Sequence, residues 1–178
     1  AKAMVVTRSR LHAVRTQAAL ADYIRKKGYD RGERPLRTLV AFSGSLVDPD
    51  VPEAQAVTEA SIIGFSEAQL PKKFHSPEYQ VLVVAEKYQT GFDEPLLHTM
   101  YVDKTMQGAG LMQAIARVNR TFRDKPGGLI VDYIGLFANL QDALQEYSPS
   151  DRDQAGVPIE EIVDAMLEKH DVVRGILH

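Results

Sequence analysis

Short apolar runs punctuate the chain at residues 3–7, 37–42, 80–85, 98–102 and 128–133, each followed by a polar turn and most by a stretch with helical spacing. The run Val81-Leu82-Val83-Val84 shows no in/out alternation, as expected of strands covered on both faces. The long connections suit crossovers between parallel strands, so the pattern predicts an α/β fold: an open, mostly parallel sheet with helices on both faces. Helices are predicted over 9–27, 59–64, 66–74, 108–119 and 136–145, with another from 159 onward; Ser9 is positioned to cap the first and Gly28 to stop it.

Two stretches break this rhythm. Residues 43–59, with Asp48-Pro49-Asp50 and Val51-Pro52-Glu53, read as a polar loop running over the surface. Residues 147–158 are rich in Ser, Pro and Asp and precede an amphipathic helix whose Ile159, Ile162, Val163, Met166 and Leu167 share a face. The expected organisation is a domain over 1–147, a linker over 148–158, and the start of a following helical domain over 159–178. With a strand beginning so early and a new helix near its end, the chain reads as a piece of something longer.

Composition removes several classes of function. The 178 residues, 44% hydrophobic, are enough for one ordinary domain with a real core. No apolar run approaches the roughly 20 residues a membrane span needs, and no charged-then-apolar leader opens the chain, so a cytoplasmic protein is expected. The absence of cysteine excludes disulfides and thiolate chemistry, and the five histidines offer no i, i+4 pair for a metal. The net charge of −3 hides an asymmetry: residues 1–40 carry ten Lys/Arg against three acids, whereas residues 141–178 carry three against nine. A basic half can lie along phosphates or form a solvated helix face, and charge alone leaves both open.

Two segments carry candidate chemistry. In Gln113-Ala-Ile-Ala-Arg117-Val-Asn-Arg120 the three polar residues are four and three apart, so a helix would project them from one face. Met112, Ile115, Ala116 and Val118 would then pack toward the sheet, leaving two guanidiniums for forked contacts to phosphate oxygens. Taken alone, the segment also fits an exposed helix with two ordinary arginines. The second segment, Glu86-Lys87-Tyr88-Gln89-Thr90-Gly91-Phe92-Asp93-Glu94-Pro95, leaves a buried strand and enters a Gly-containing turn. Gly91 lets a ligand approach the backbone, Thr90 offers a hydroxyl, and Asp93 can accept from a ribose or orient an arginine; such loops at carboxyl ends of parallel strands are common ligand sites. A plain tight turn ended by Pro95 fits as well.

The order of the two segments is more specific than either. Thr-Gly-x-Asp after one strand, a further strand, then Gln-x3-Arg-x2-Arg resembles motifs V and VI of the second RecA-like domain of superfamily 2 helicases. Val5 to Arg10 and Leu39 to Gly44 resemble its earlier strand-and-turn motifs. Within that superfamily the chain is most similar to the restriction (R) subunit of type I restriction-modification enzymes, on residues 86–95, Met100 to Lys104, Gln113 to Thr121, Leu70 to Phe74 and Ile130 to Gly135. One departure is Ala116, where many helicases carry glycine before the first motif VI arginine.

The resemblance implies a RecA-like second motor domain lacking the phosphate loop, in an ATP-hydrolysing DNA translocase. Arg120 would be the arginine finger, with Arg117 beside it and Gln113 coupling nucleotide state to domain closure. Gly91 and Asp93 would border the nucleotide, and Arg10, Ser43, Gly44 and Thr90 would touch the DNA backbone without reading its sequence. No phosphate loop and no Asp-Glu motif occur in the chain, so ATP and Mg²⁺ would be held mainly by a preceding RecA-like domain, and the chain alone should not hydrolyse ATP. A nuclease centre is not predicted here either, since no Glu-x-Lys strand follows Pro49-Asp50. The implied partners are double-stranded DNA, the first motor domain, and modification and specificity subunits. Another superfamily 2 DNA or RNA motor, or a non-catalytic Rossmann-like binding module, is the alternative.

Overall fold

The computed structural model describes residues 1–87, 92–120 and 127–135. All five predicted strands form, within a residue or two of their expected limits: β1 (Lys2–Thr7), β2 (Thr38–Ala41), and, after two short strands described below, β5 (Val81–Val84), β6 (Leu97–Asp103) and β7 (Leu129–Asp132). They pair in the order β2-β5-β1-β6-β7, and every pairing is parallel. Parallel neighbours need crossovers, and helices lie in the connections β1 to β2, β2 to β5 and β6 to β7.

Helix α1 (Arg10–Lys26) starts where Ser9 accepts the backbone N–H of His12 and ends before Gly28, whose φ of 70° suits glycine. Helix α2 (Glu59–Ile63) has a reciprocal capping box between Thr58 and Ser61 and a left-handed stop at Gly64. The predicted helix over 66–74 divides into a 3-10 turn (Glu67–Gln69) and α3 (Leu70–His75), because Pro71 is tolerated only in the first turn of an α-helix. Helix α4 (Gly108–Val118) ends at Asn119.

The helices cover both faces of the sheet. On one, Leu70 and Phe74 of α3 and Leu111, Ala114 and Val118 of α4 pack on Met4, Val6, Leu82, Val84, Met100 and Val102. On the other, Ala13 and Val14 of α1 and Ile62 of α2 pack on Val5, Val40, Phe42 and Val83. Strands β2 and β5 are accordingly buried at three consecutive positions each, whereas β6 alternates and β7 is half-buried or exposed throughout. The second face over β6 and β7 presents Tyr101 stacked on Tyr133, with ring centroids 6.3 Å apart.

Residues 43–59 depart from the expected polar loop. Ser45–Leu46 (β3) and Val57–Thr58 (β4) form a two-residue antiparallel ladder, and Asp48 and Asp50 both receive the Arg15 guanidinium of α1. The excursion is therefore tied to α1 by an ion cluster. Much of the basic amino-terminal stretch is likewise engaged within the chain: Arg25 and Lys26 with Asp22, Arg37 with Glu78. Lys2 is buried, and its ammonium donates to the carbonyls of Ser76 and Tyr79 just past α3. Burial lowers its pKa, and Glu94 nearby opposes that shift. The exposed pairs of Arg25, Lys26 and Arg37 leave both readings of the charge asymmetry open. The predicted helices over 136–145 and from 159, and the linker over 148–158, lie outside the described residues.

Candidate functional site

The predicted site residues fall into two groups, at opposite edges of the sheet. At the carboxyl edge, Arg10 opens α1 and Ser43-Gly44 follow β2. The Arg10 Nη1 donates to the carbonyls of Ser43 at 3.1 Å and Ser45 at 3.3 Å. Gly44 has a φ of 76°, and a Cβ there would sit 3.3 Å from Arg10 Nη1, so glycine serves both the turn and the clamp. Arg10, Ser43, Ala85, Glu86 and Lys87 line a pocket of about 280 Å³. The three residues are thus in contact, and one edge of the Arg10 guanidinium holds the turn in place. Beside them His12 Nε2 meets Asp103 at 2.7 Å. That pair spans β1 and β6, whose outgoing connections diverge to opposite sides, which is where open parallel sheets leave a crevice.

The second group lies at the amino edge. Helix α4 runs back along the sheet from the end of β6 to the start of β7, so its last turn arrives there. Asp93 lies four residues before Leu97, the first of β6, and accepts from Arg120 Nη1 at 2.5 Å. The sequence predicts the Asp93 turn among carboxyl-end loops; instead Asp93 lies at the opposite edge, beside the start of β6. Phe92 anchors it in the core against Phe74, and Glu94 is buried, accepting from the Leu96 backbone and facing His75 Nδ1 at 3.0 Å.

Arg120 itself corrects the helical picture. The helix ends at Val118, with Asn119 as its cap, so Arg120 stands one residue beyond and does not project from the helix face. It nevertheless meets Asp93, whereas a helical continuation would set its direction by the 3.6-residue period. Arg117 remains on the last turn with Gln113 one turn earlier, Gln113 exposed and Arg117 half-buried. Leu111, Ala114 and Val118 supply the buried contacts with partial help from Met112 and Ile115, while Ala116 is exposed rather than packed. Gly128 packs closely against the end of α4, where a Cβ would fall 2.2 Å from the Val118 carbonyl oxygen.

Burial pushes the Arg117 pKa down, the neighbouring Arg120 charge adds to this, and Asp93 opposes it. The Arg117 and Arg120 guanidiniums thus lie close enough to act on each other, with the Asp93 carboxylate beside them. The Asp93–Arg120 pair is exposed on both sides, 66% and 57% of their side chains, so Arg120 can exchange that carboxylate for another anion at small cost. Of the remaining expectations, Thr90 and Gly91 lie outside the described residues.

Sequence reasoning missed one buried ion pair at the carboxyl edge, Glu59 with Lys87 at 2.9 Å. Lys87 belonged to a quoted motif and Glu59 to a predicted helix start, but no periodicity links residues 28 apart. Among the described residues no helix is long and apolar enough to cross a membrane.

Comparison with known proteins bears on the whole chain. A family model described as type I restriction enzyme subunit R domain 3 matches residues 56–135. A relative from Methanocaldococcus jannaschii, named as the endonuclease subunit of type I restriction enzyme MjaIXP, is 38% identical over 97% of this chain and 16% of its own length. The type I restriction enzyme HindI endonuclease subunit of Haemophilus influenzae is 42% identical over 60% of this chain and 11% of its own. The chain therefore spans about a sixth or less of these relatives. With the parallel α/β sheet carrying these matches, the chain belongs to the family of type I restriction enzyme R (endonuclease) subunits.

Proposed function

We propose that this chain is the second RecA-like motor domain of a type I restriction enzyme R subunit and supplies the arginine finger for ATP hydrolysis coupled to translocation along double-stranded DNA. The observation that carries the reading is the convergence of Asp93, Arg117 and Arg120 at one edge, with Arg10, Ser43 and Gly44 at the other. The two edges are separated by roughly 20 Å, the length of the seven-residue β6.

The amino-edge cluster fits the phosphates of ATP because it brings two guanidiniums together and the pair that holds Arg120 is exposed. On this reading ATP and Mg²⁺ are held mainly by the preceding motor domain of the same parent chain, with Gly91 and Asp93 bordering the nucleotide. Arg120 leaves Asp93 for the terminal phosphate when the two domains close, and Arg117 adds a second positive charge beside it. Gln113, one turn before Arg117, faces the same cleft. At the carboxyl edge the 43–44 turn, with Arg10 and Thr90, contacts backbone phosphates without reading bases. Modification and specificity subunits, DNA cleavage elsewhere in the parent, and a cytoplasmic location complete the proposal.

Arg120→Ala in the complete R subunit is the test. Hydrolysis should fall about 10³-fold or more while nucleotide binding stays nearly unchanged, as expected when a group acts on the transition state. Undiminished hydrolysis with alanine at both 117 and 120 would remove the assignment and favour a non-catalytic binding module.

A further inference from the structure

At the amino edge one buried acid is left unused by this reading. Asp93 is exposed, yet both of its neighbours in the chain are buried. Phe92 packs on Phe74, with ring centroids 6.0 Å apart, and Glu94 meets Nδ1 of His75 at 3.0 Å. Phe74 and His75 are the last two residues of α3, so the end of a single helix grips the chain on either side of Asp93.

Glu94 uses both of its carboxylate oxygens. Oε2 takes the His75 contact and Oε1 accepts the backbone N–H of Leu96 at 3.0 Å, while the Glu94 carbonyl accepts the N–H of Leu97, also at 3.0 Å. The turn closed in this way leads straight into β6 and is joined to β1, because the Leu96 carbonyl accepts the Lys2 N–H at 2.9 Å. The Lys2 ammonium completes the enclosure. It lies 4.8 Å from the centre of the Phe74 ring, donates to the carbonyls of Ser76 and Tyr79 just past His75, and is close enough for Glu94 to act on it. A buried carboxylate is a weaker source of stability than an apolar side chain of its size, but its hydrogen bonds admit few positions. Those bonds fix the residue immediately before it, Asp93, whose carboxylate receives Arg120.

Resting on the function proposed above, we infer that Glu94 is a positioning residue for ATP hydrolysis: held by His75, it sets where Asp93 seats Arg120. It acts through Asp93 and takes no part in binding ATP. The experiment is steady-state ATP hydrolysis by the complete R subunit in its assembled enzyme, with double-stranded DNA present and rates taken per folded enzyme. Glu94→Leu removes both side-chain contacts and leaves an apolar residue at a buried place. It should lower kcat about tenfold, since a small misplacement of a catalytic group is costly, with the KM for ATP within about twofold. If Glu94→Leu does not fold, judged by circular dichroism, His75→Ala carries the test with the same expected loss, because the His75 side chain is 64% exposed and its removal leaves the core intact. His75→Asn, which keeps a side-chain N–H donor at the same distance from the backbone, should recover most of what His75→Ala loses.

A double-mutant cycle with Asp93→Asn separates positioning from a merely structural role. If Glu94 and His75 act through Asp93, neither substitution lowers kcat further in the Asp93→Asn enzyme. Losses that multiply overturn the inference, as does a wild-type kcat in the folded variants or a KM for ATP raised about tenfold. Arg120→Ala distinguishes the two layers: hydrolysis that survives it sinks the functional reading, whereas hydrolysis abolished by it, beside wild-type rates in Glu94→Leu and His75→Ala, sinks only the positioning role.

Discussion

At the level of single residues, the Asp93–Arg120 pair is weakly held. Both side chains are more than half exposed, so the pair contributes little to folding. Asp93→Asn is expected to change the unfolding free energy by less than about 1 kcal/mol in denaturant titration. In the parent enzyme the same change should alter ATP hydrolysis, because it removes the group that parks Arg120. A large loss of stability would mean that the pair is a structural clasp. The spacing of Gln113, Arg117 and Arg120 pointed to the right residues for a partly wrong reason. Three-and-four spacing places side chains on one face only while the helix lasts, and the sequence does not mark Val118 as its last residue. The glycine that packs against this end lies ten residues further on, at position 128.

Among the elements, α4 shows how the site is positioned. Gly128 passes so close beneath Val118 that a methyl group cannot be accommodated without moving backbone, since the nearest atoms are the Val118 carbonyl oxygen and carbon at 2.2 and 2.6 Å. Gly128→Ala is expected to destabilise the domain by about 1–3 kcal/mol, the usual range for overpacking. Thermal unfolding measures this, and a wild-type melting temperature would show that the contact yields freely. Because the strain falls on the end of α4, activity of the parent should suffer more than stability alone accounts for. The strands were legible as continuous apolar runs, and α1 because it spans enough residues for a period to show and carries Ser9 and Gly28 at its ends. β3 and β4 were not, since two residues have no period, and what holds that excursion is the long-range cluster of Arg15 with Asp48 and Asp50.

For the molecule as a whole, that cluster also predicts how stability responds to acid. Hydrogen bonding from Arg15, helped by the Asp50 backbone, holds the Asp48 carboxyl below the ordinary aspartate range. A carboxyl lowered on folding contributes stability that is complete above its unfolded pKa, about 4, and is lost as pH falls through its lower folded value. Unfolding midpoints measured from pH 5 to 2 should therefore fall less steeply below pH about 4 in Asp48→Asn than in the wild type. An unchanged slope would show that the cluster is not maintained in solution. The α/β class and the coverage of both faces could be read from runs of apolar residues. Which edge Asp93 reaches could not, because that depends on strand order and on long-range packing such as that of Phe92 on Phe74.

The strand order has one more consequence. β1, the first strand in the chain, is the central one, yet both of its neighbours come late: β5 begins at Val81 and β6 at Leu97. During synthesis, its two unpaired backbone edges must wait for some 75 to 100 further residues, estimated from these positions. Such non-local pairing is expected to slow folding and to leave strand edges open to association in the interval.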